Sequence, residues 1–206
     1  ELEVEVADGE RSIILDQAAP SLTMSTLPDG AYTNNQDLNV AGTVTDNIGL
    51  EGLAINGTTV MVNPDNSFSH LVVLIAGSNT ISTIATDFAG NTTTDTRAIT
   101  LDQTAPALSI ATPADNSFTS QLVSSVSGTV DETSTVTVKL NDESPQIAPM
   151  AGNSFTATVN MAIGMNTIDI TATDFAGNTS SGKRTVTYDP FAPSVAITNP
   201  ASDITT

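Results

Sequence analysis

Carboxylates are the side chains of this sequence that recur in a pattern able to do chemistry. The 206-residue chain carries 23 Asp+Glu against 5 Lys+Arg, with one His, no Cys and no Trp, for a net charge of −18. Asp16, Asp102 and Asp189 stand in one repeated motif, spaced 102 − 16 = 86 and 189 − 102 = 87 residues apart. Other acidic residues recur inside each step: Asp46 and Asp87 in one, Asp131, Glu132 and Asp174 in the next. Carboxylates gathered at one place suit a hard divalent cation. Calcium takes 6–8 oxygens, several of them from carboxylates, and backbone carbonyls or water complete the shell. Without a cation, like charges held that close repel.

Other chemistry finds little support. Neither a nucleophile–base pair nor a phosphate-cradling loop is present. Two carboxylates could serve a glycosidase, but here the acids recur at matching positions in each step, which suits a structural role. The chain is therefore read as no enzyme. His70 is the single histidine, and zinc needs three or four N or S donors. Glycan binding needs an aromatic platform. Tyr32 and Phe118 occupy equivalent loop positions, as do Phe88 and Phe175 at two turn tips. Packing against the neighbouring unit is the favoured role for the tip phenylalanines, with glycan contact by any of these aromatics as the alternative. The acidic balance excludes nucleic acid as a partner, since that needs a basic face, and it disfavours anionic membranes. No apolar run is long enough to insert into a bilayer.

The repeated motif organises the rest. It reads Ile-Thr-Leu-Asp-Gln-Thr-Ala-Pro at residues 99–106, Ser-Ile-Ile-Leu-Asp-Gln-Ala-Ala-Pro at 12–20 and Val-Thr-Tyr-Asp-Pro-Phe-Ala-Pro at 186–193. A fixed period of this size means tandem structural units. Each motif reads as a last strand, a short Pro-containing joint and the next first strand. Residues 1–16 are the closing hairpin of a preceding unit, 17–102 and 103–189 are two complete units, and 190–206 begin another. The chain thus opens in mid-repeat. A unit of about 86 residues is near the small end of what one core stabilises.

Within a unit the apolar residues alternate. Leu38, Val40 and Val44 alternate, Val126 and Val130 take the places of Val40 and Val44 in the copy, and Phe68, His70, Val72 and Leu74 match Phe155, Ala157, Val159 and Met161. Period-2 alternation, Asn56-Gly57 as a type I′ hairpin signal and frequent turns predict about seven short strands per unit. No 3.6-residue period is sustained, so essentially no helix is expected. The prediction is an all-β fold of antiparallel β-sandwiches, one per unit. Thr83 replaces the Ile170 of the copy, with Ile84 beside it, which suggests a bulged or shifted strand there. Proline fixes φ in the joints and glycine is absent from them, so the units should follow one another semi-stiffly.

Four motifs together resemble bacterial immunoglobulin-like (Big-type) tandem repeats. They are Leu101 to Pro106, Gly42 to Asn47, the Asn-Ser-Phe of 66–68 and 153–155, and the Ala-Thr-Asp-Phe-Ala-Gly-Asn-Thr of 85–92 and 172–179. The resemblance implies tandem immunoglobulin-like sandwiches. It also implies an extracellular or cell-surface setting in adhesins, large secreted repeat proteins or accessory modules of glycan-degrading enzymes. Calcium stiffens the junctions of several such adhesins.

In such a unit the first strand, the loop after the second strand and the last hairpin meet at one end. That would gather Asp16, Asp46 and Asp87 in the first unit, and Asp102, Asp131, Glu132 and Asp174 in the second. A competing role exists for Asp87 and Asp174, which open Asp-Phe-Ala-Gly-Asn turns and could accept backbone N–H bonds there, with Gly90 or Gly177 at φ > 0. Arg11, Arg97 and Arg184 share one repeat position and could pair with a strand neighbour such as Asp169. The function expected is a stalk or spacer of a surface or secreted bacterial protein, serving adhesion. Its partners would be the neighbouring repeats of its own chain, and a host or cell-surface protein or glycan. A carbohydrate- or protein-binding accessory module is the competing expectation.

Overall fold

Alternation along the chain becomes sheet structure throughout. A computed structural model describes residues 2–5 and 12–196. The chain divides into two compact units, the first of residues 1–104 with 175–177 and the second of residues 105–174 with 178–206. In the first unit β1 (Leu2–Glu5) pairs antiparallel with β2 (Ser12–Leu15). Next come β3 (Ser21–Met24), β4 (Tyr32–Thr33), β5 (Asp37–Thr45), β6 (Leu50–Ile55), β7 (Thr58–Val60), β8 (Ser67–Val73), β9 (Gly77–Asp87) and β10 (Thr92–Leu101). They form a three-stranded sheet in the order β3-β5-β8 and a five-stranded sheet in the order β4-β10-β9-β6-β7.

The second unit holds β11 (Leu108–Thr112), β12 (Ser117–Thr119), β13 (Val123–Val130), β14 (Thr135–Leu140), β15 (Gln146–Ile147), β16 (Met150–Ala151), β17 (Ser154–Asn160), β18 (Gly164–Thr173) and β19 (Thr179–Tyr188). Its sheets run β11-β13-β17-β16 and β12-β19-β18-β14-β15. No helix occurs among the described residues. The protein is an all-β tandem of immunoglobulin-like sandwiches. Arg11 lies outside the described residues, as do residues 197–206 of the stretch expected to open a further unit; residues 191–196 form no strand.

Each core is the set of inward positions from the two sheets. Leu38, Val40, Val44, Leu53, Ile55, Phe68, Leu74, Ile81 and Ile99 are buried in the first unit, and Val126, Val136, Val138, Phe155, Ile168, Ile170 and Val186 in the second. Removing each such side chain from water is worth about 1.5–3 kcal/mol. Asn56 (φ 47°) and Gly57 (φ 79°) turn β6 into β7 as the type I′ pattern requires.

The strand carrying Thr83 is regular, against the expectation of a bulge. β9 stays in unbroken register with β10 over ten residue pairs. The irregularity lies instead in the neighbouring β6, between Leu50 and Gly52. Thr83 simply points inward, 1% exposed, and Ile84 outward. The Thr83 hydroxyl has no hydrogen-bond partner there. Because an unsatisfied buried hydroxyl is destabilising while an isosteric apolar group is not, Thr83→Val should stabilise the first unit by about 1 kcal/mol. Calorimetry should show its melting point rising by a few degrees.

Arg184 does not pair with Asp169. In register, Asp169 faces Lys139 on one side and Lys183 on the other, while Arg184 faces Ile168. Arg184 donates instead to the carbonyls of Ile110 (3.1 Å) and Pro113 (3.2 Å). Arg97 does likewise, reaching the carbonyls of Thr26 (3.0 Å) and Leu27 (2.8 Å) while its Nε pairs with Asp95 Oδ1 at 2.8 Å. In both units the arginine ties the chain that leaves the first strand to the last strand.

Candidate metal centre

Asp16, Asp46 and Asp87 come together in the first unit, each offering a carboxylate oxygen within 4.8 Å of the others. Three different elements bring them there. Asp16 follows β2 in the Pro-containing joint. Asp46 follows β5. Asp87 ends β9 and opens the hairpin to β10.

Asp87 is fully buried. Its Oδ1 accepts the Asn91 amide at 2.8 Å and its Oδ2 accepts Asn91 Nδ2 at 2.7 Å. The turn is tightened further by Gly90 N–H to the Asp87 carbonyl, with Gly90 at φ 87°. The turn-forming role considered for Asp87 is therefore real. Burial alone would push its carboxyl up, but the bonds from the Asn91 side chain and from the amides of Asn91, Ala89 and Gly90 outweigh it. The group sits below its ordinary 3.8 and stays ionised at neutral pH.

Asp46 accepts the amides of Ile48 and Gly49 on Oδ2, both at 2.9 Å. Its other oxygen, Oδ1, is buried and unpartnered. Asp16 Oδ1 accepts the Ala18 amide at 3.1 Å and Asn47 Nδ2 at 3.4 Å. Asn91 Nδ2 also reaches the carbonyls of Asp16 (3.2 Å) and Ala18 (3.4 Å), and the Thr93 hydroxyl donates to the Pro20 carbonyl. The joint is thereby fastened to the last hairpin of the unit it precedes.

An orphaned buried carboxylate oxygen among three converging carboxylates is a place a cation fits. Leaving it unbonded is costly. The donors are all oxygen, as calcium or magnesium prefers over softer metals. Asp16, Asp46 and Asp87 would hold the ion, which would supply charge compensation rather than chemistry.

In the second unit Glu132 and Asp174 offer carboxylate oxygens within the same 4.8 Å. Asp174 repeats the Asp87 geometry, taking the Asn178 amide and Nδ2, both at 2.8 Å, with Gly177 at φ 90°. Asp102 follows β10 and accepts the Thr104 amide at 3.0 Å, as Asp16 does that of Ala18. Asp131 leaves the expected set. It is exposed, its Oδ1 takes the Ala107 amide at 2.7 Å, and it belongs to no carboxylate group among the described residues. Its outward position follows from strand parity: counted from Gly42 and Gly128, Asp46 and Glu132 both come fourth, and Asp131 matches Thr45. That count was available in the sequence. The orphaned Asp46 oxygen had no sequence signal.

In chelator, the Asp87 carboxylate makes acid stability predictable. A carboxyl depressed in the folded state adds stability that is complete above its unfolded value and lost as pH falls through the folded one. The denaturation midpoint of the first unit should hold above about pH 4 and fall below 3.8. Asp87→Asn should lower the midpoint at neutral pH and flatten that fall, as read by urea unfolding at several pH values.

The family model of glucodextranase, domain B, matches residues 20–103 and again 106–190. The chain belongs to that family. Its first domain B copy carries Asp46 and Asp87, and its second Glu132 and Asp174 at the corresponding places, while Asp16 precedes the first copy. Bacillopeptidase F of Bacillus subtilis (strain 168) is 37% identical over 105 residues, 51% of this chain and 7% of that protein. The PII-type proteinase of Lactococcus lactis subsp. cremoris is 34% identical over 95 residues, 40% of this chain and 5% of that protein. The domain B tandem therefore matches only a small part of these relatives. Among solved structures, the fibronectin(III)-like modules of Clostridium thermocellum CbhA match with a TM-score of 0.57 at 11% identity, over 82% of this chain and 94% of theirs. The titin I-band fragment I67–I69 matches with 0.50 at 12% identity, over 84% and 66%. Both share the domain B sandwich as a fold.

Proposed function

We infer that the chain is a non-catalytic spacer within a larger secreted or surface-attached bacterial protein. Each domain B sandwich works as one link, and a divalent cation, calcium by its donor set, stiffens the joint that enters it. Kinship with Big-type adhesin repeats and a role in adhesion belong to this reading. The observation that carries it is the grip of the first unit on its own joint. Asn91 and Thr93 hold the carbonyls of Asp16, Ala18 and Pro20, and the joint carboxylate Asp16 completes a three-carboxylate set. A linker held this way transmits orientation, which is what a spacer requires. The similarity to short stretches of two very long proteinases supports a module that serves a distant catalytic part.

The test is small-angle scattering of the 206-residue chain with calcium and with chelator. A spacer with cation-set joints gives a longer, narrower distance distribution in calcium. Identical distributions in both would remove the stiffening. A glycan array probed with the same chain addresses the accessory-module reading: saturable binding to a glycan would replace the spacer role.

A further inference from the structure

The two units close one side of the sandwich differently. In the second unit, residues 146–151 cross from one sheet to the other. Gln146–Ile147 pairs with β14, Ala148 plugs the gap at 1% exposure, and Met150–Ala151 pairs with β17. This segment satisfies the outer edge of β17. The Thr156 amide donates to the Pro149 carbonyl at 3.2 Å, and Gln146 Nε2 donates to the Thr158 carbonyl at 3.0 Å. Ala157 and Val159, which point inward beside that edge, are buried.

In the first unit the loop between the matching residues Ile55 and Phe68 is shorter than that between Leu140 and Phe155 by (155 − 140) − (68 − 55) = 2 residues. It pairs with β6 and meets β8 at Ser67, whose carbonyl accepts the Asn63 amide at 2.8 Å, leaving the rest of β8 as an edge of the order β3-β5-β8. The Ser69 amide and Leu71 carbonyl stand where those of Thr156 and Thr158 stand. Neither has a protein partner among the described residues. His70 and Val72 point inward yet are only half-buried. Outward, Leu71 is 56% and Val73 62% exposed. Edge strands in monomers are usually blunted by Lys, Pro or a bulge. β8 reads Ser-Phe-Ser-His-Leu-Val-Val and has none of these.

We propose that the open edge of β8, residues 69–73, receives an extended apolar segment of another protein that carries Lys or Arg, added as a strand to the β3-β5-β8 sheet. The second unit shows chain lying along this edge: its Pro149 carbonyl and Gln146 side chain bond Thr156 and Thr158, the counterparts of Ser69 and Leu71, just beyond the antiparallel pairing of Met150–Ala151 with Ser154–Phe155. Main-chain bonds would supply affinity and flanking side chains selectivity. Charge decides the occupant. The chain is −18 overall, and Asp37 lies exposed directly across from Val73. A second copy would bring the same negative charge to the seam, whereas a basic segment is drawn to it. The site stands apart from the carboxylate set, and it holds whether or not the chain is a spacer.

The test uses the whole 206-residue chain and a ten-residue peptide alternating Val and Lys, with a Val–Glu peptide as control. Amide hydrogen exchange by NMR should slow at least tenfold at Ser69, Leu71 and Val73 with the Val–Lys peptide and not with Val–Glu. Leu71→Lys, which changes only an exposed side chain, should weaken Val–Lys binding at least tenfold and leave the melting temperature unchanged. Unaltered exchange at these amides, or equal slowing by both peptides, would overturn the proposal. So would a dimer of the free chain in sedimentation that Leu71→Lys dissolves, because the occupant would then be a second copy.

Discussion

Millimolar calcium should raise the melting temperature of the first unit by about 10 °C or more over the same chain in EDTA. A ligand that binds only the folded state stabilises by RT ln(1 + [L]/Kd), about 2.7 kcal/mol at a hundredfold excess over Kd. In a domain of 60–100 residues each kcal/mol moves the midpoint by about 4–8 °C. The ion would bond Asp46 Oδ1, buried and unpartnered, and would cancel the repulsion among Asp16, Asp46 and Asp87. Asp46→Ala should abolish the calcium response. In EDTA that variant should be no worse than partly destabilised, because the lost bonds to Ile48 and Gly49 are offset by removing an unpaired buried oxygen. Scanning calorimetry of both proteins in both buffers decides it. A calcium shift that survives Asp46→Ala would place the ion elsewhere.

Gly128→Ala should destabilise the second unit by about 3 kcal/mol, and Phe155→Ala by about 3–5 kcal/mol. Gly128 sits on β13 between β11 and β17, opposite Ile110 and Phe155. A Cβ there would collide with the Ser109 carbonyl and lie 2.7 Å from the Phe155 ring. The Ser109 carbonyl is backbone and cannot swing aside. The ring fills the space that the missing side chain leaves, and Phe155 is among the largest fully buried side chains. Gly42 stands in the same relation to Thr23 and Phe68 in the first unit, so Gly42→Ala should act there alike. A small domain is stable by only about 5–15 kcal/mol, so either change should move the thermal transition of its own unit by more than 10 °C. A Gly128→Ala protein that melts within a degree or two of the parent would refute the packing argument.

Much of the architecture was legible because it is local. Alternation through Leu38, Val40 and Val44 reports one buried face per strand, and Asn56-Gly57 reports a turn whose two residues both need φ > 0. The 86- and 87-residue spacing of Asp16, Asp102 and Asp189 announces the tandem without any folding calculation. Thr83 misled for a definite reason. A polar residue in an apolar slot looks like a slipped register, but here a single buried hydroxyl was tolerated and the slip went to β6. Arg184 misled similarly, whereas Arg97 does pair with the strand neighbour Asp95. Charge suggested an acidic strand neighbour as partner, while the chain that crosses beside the last strand offered carbonyls from some 70 residues away.

The amino-acid order by itself determined that the chain is all-β, that it repeats, and which carboxylates recur, since strand parity and period are properties of consecutive residues. Only the tertiary structure decided that Asp131 bonds the Ala107 amide, that one Asp46 oxygen is left without a donor, and that β8 keeps a bare edge where β17 is covered. These depend on which loops cross which strands, and at β8 the loop beside it is two residues shorter than its counterpart at β17.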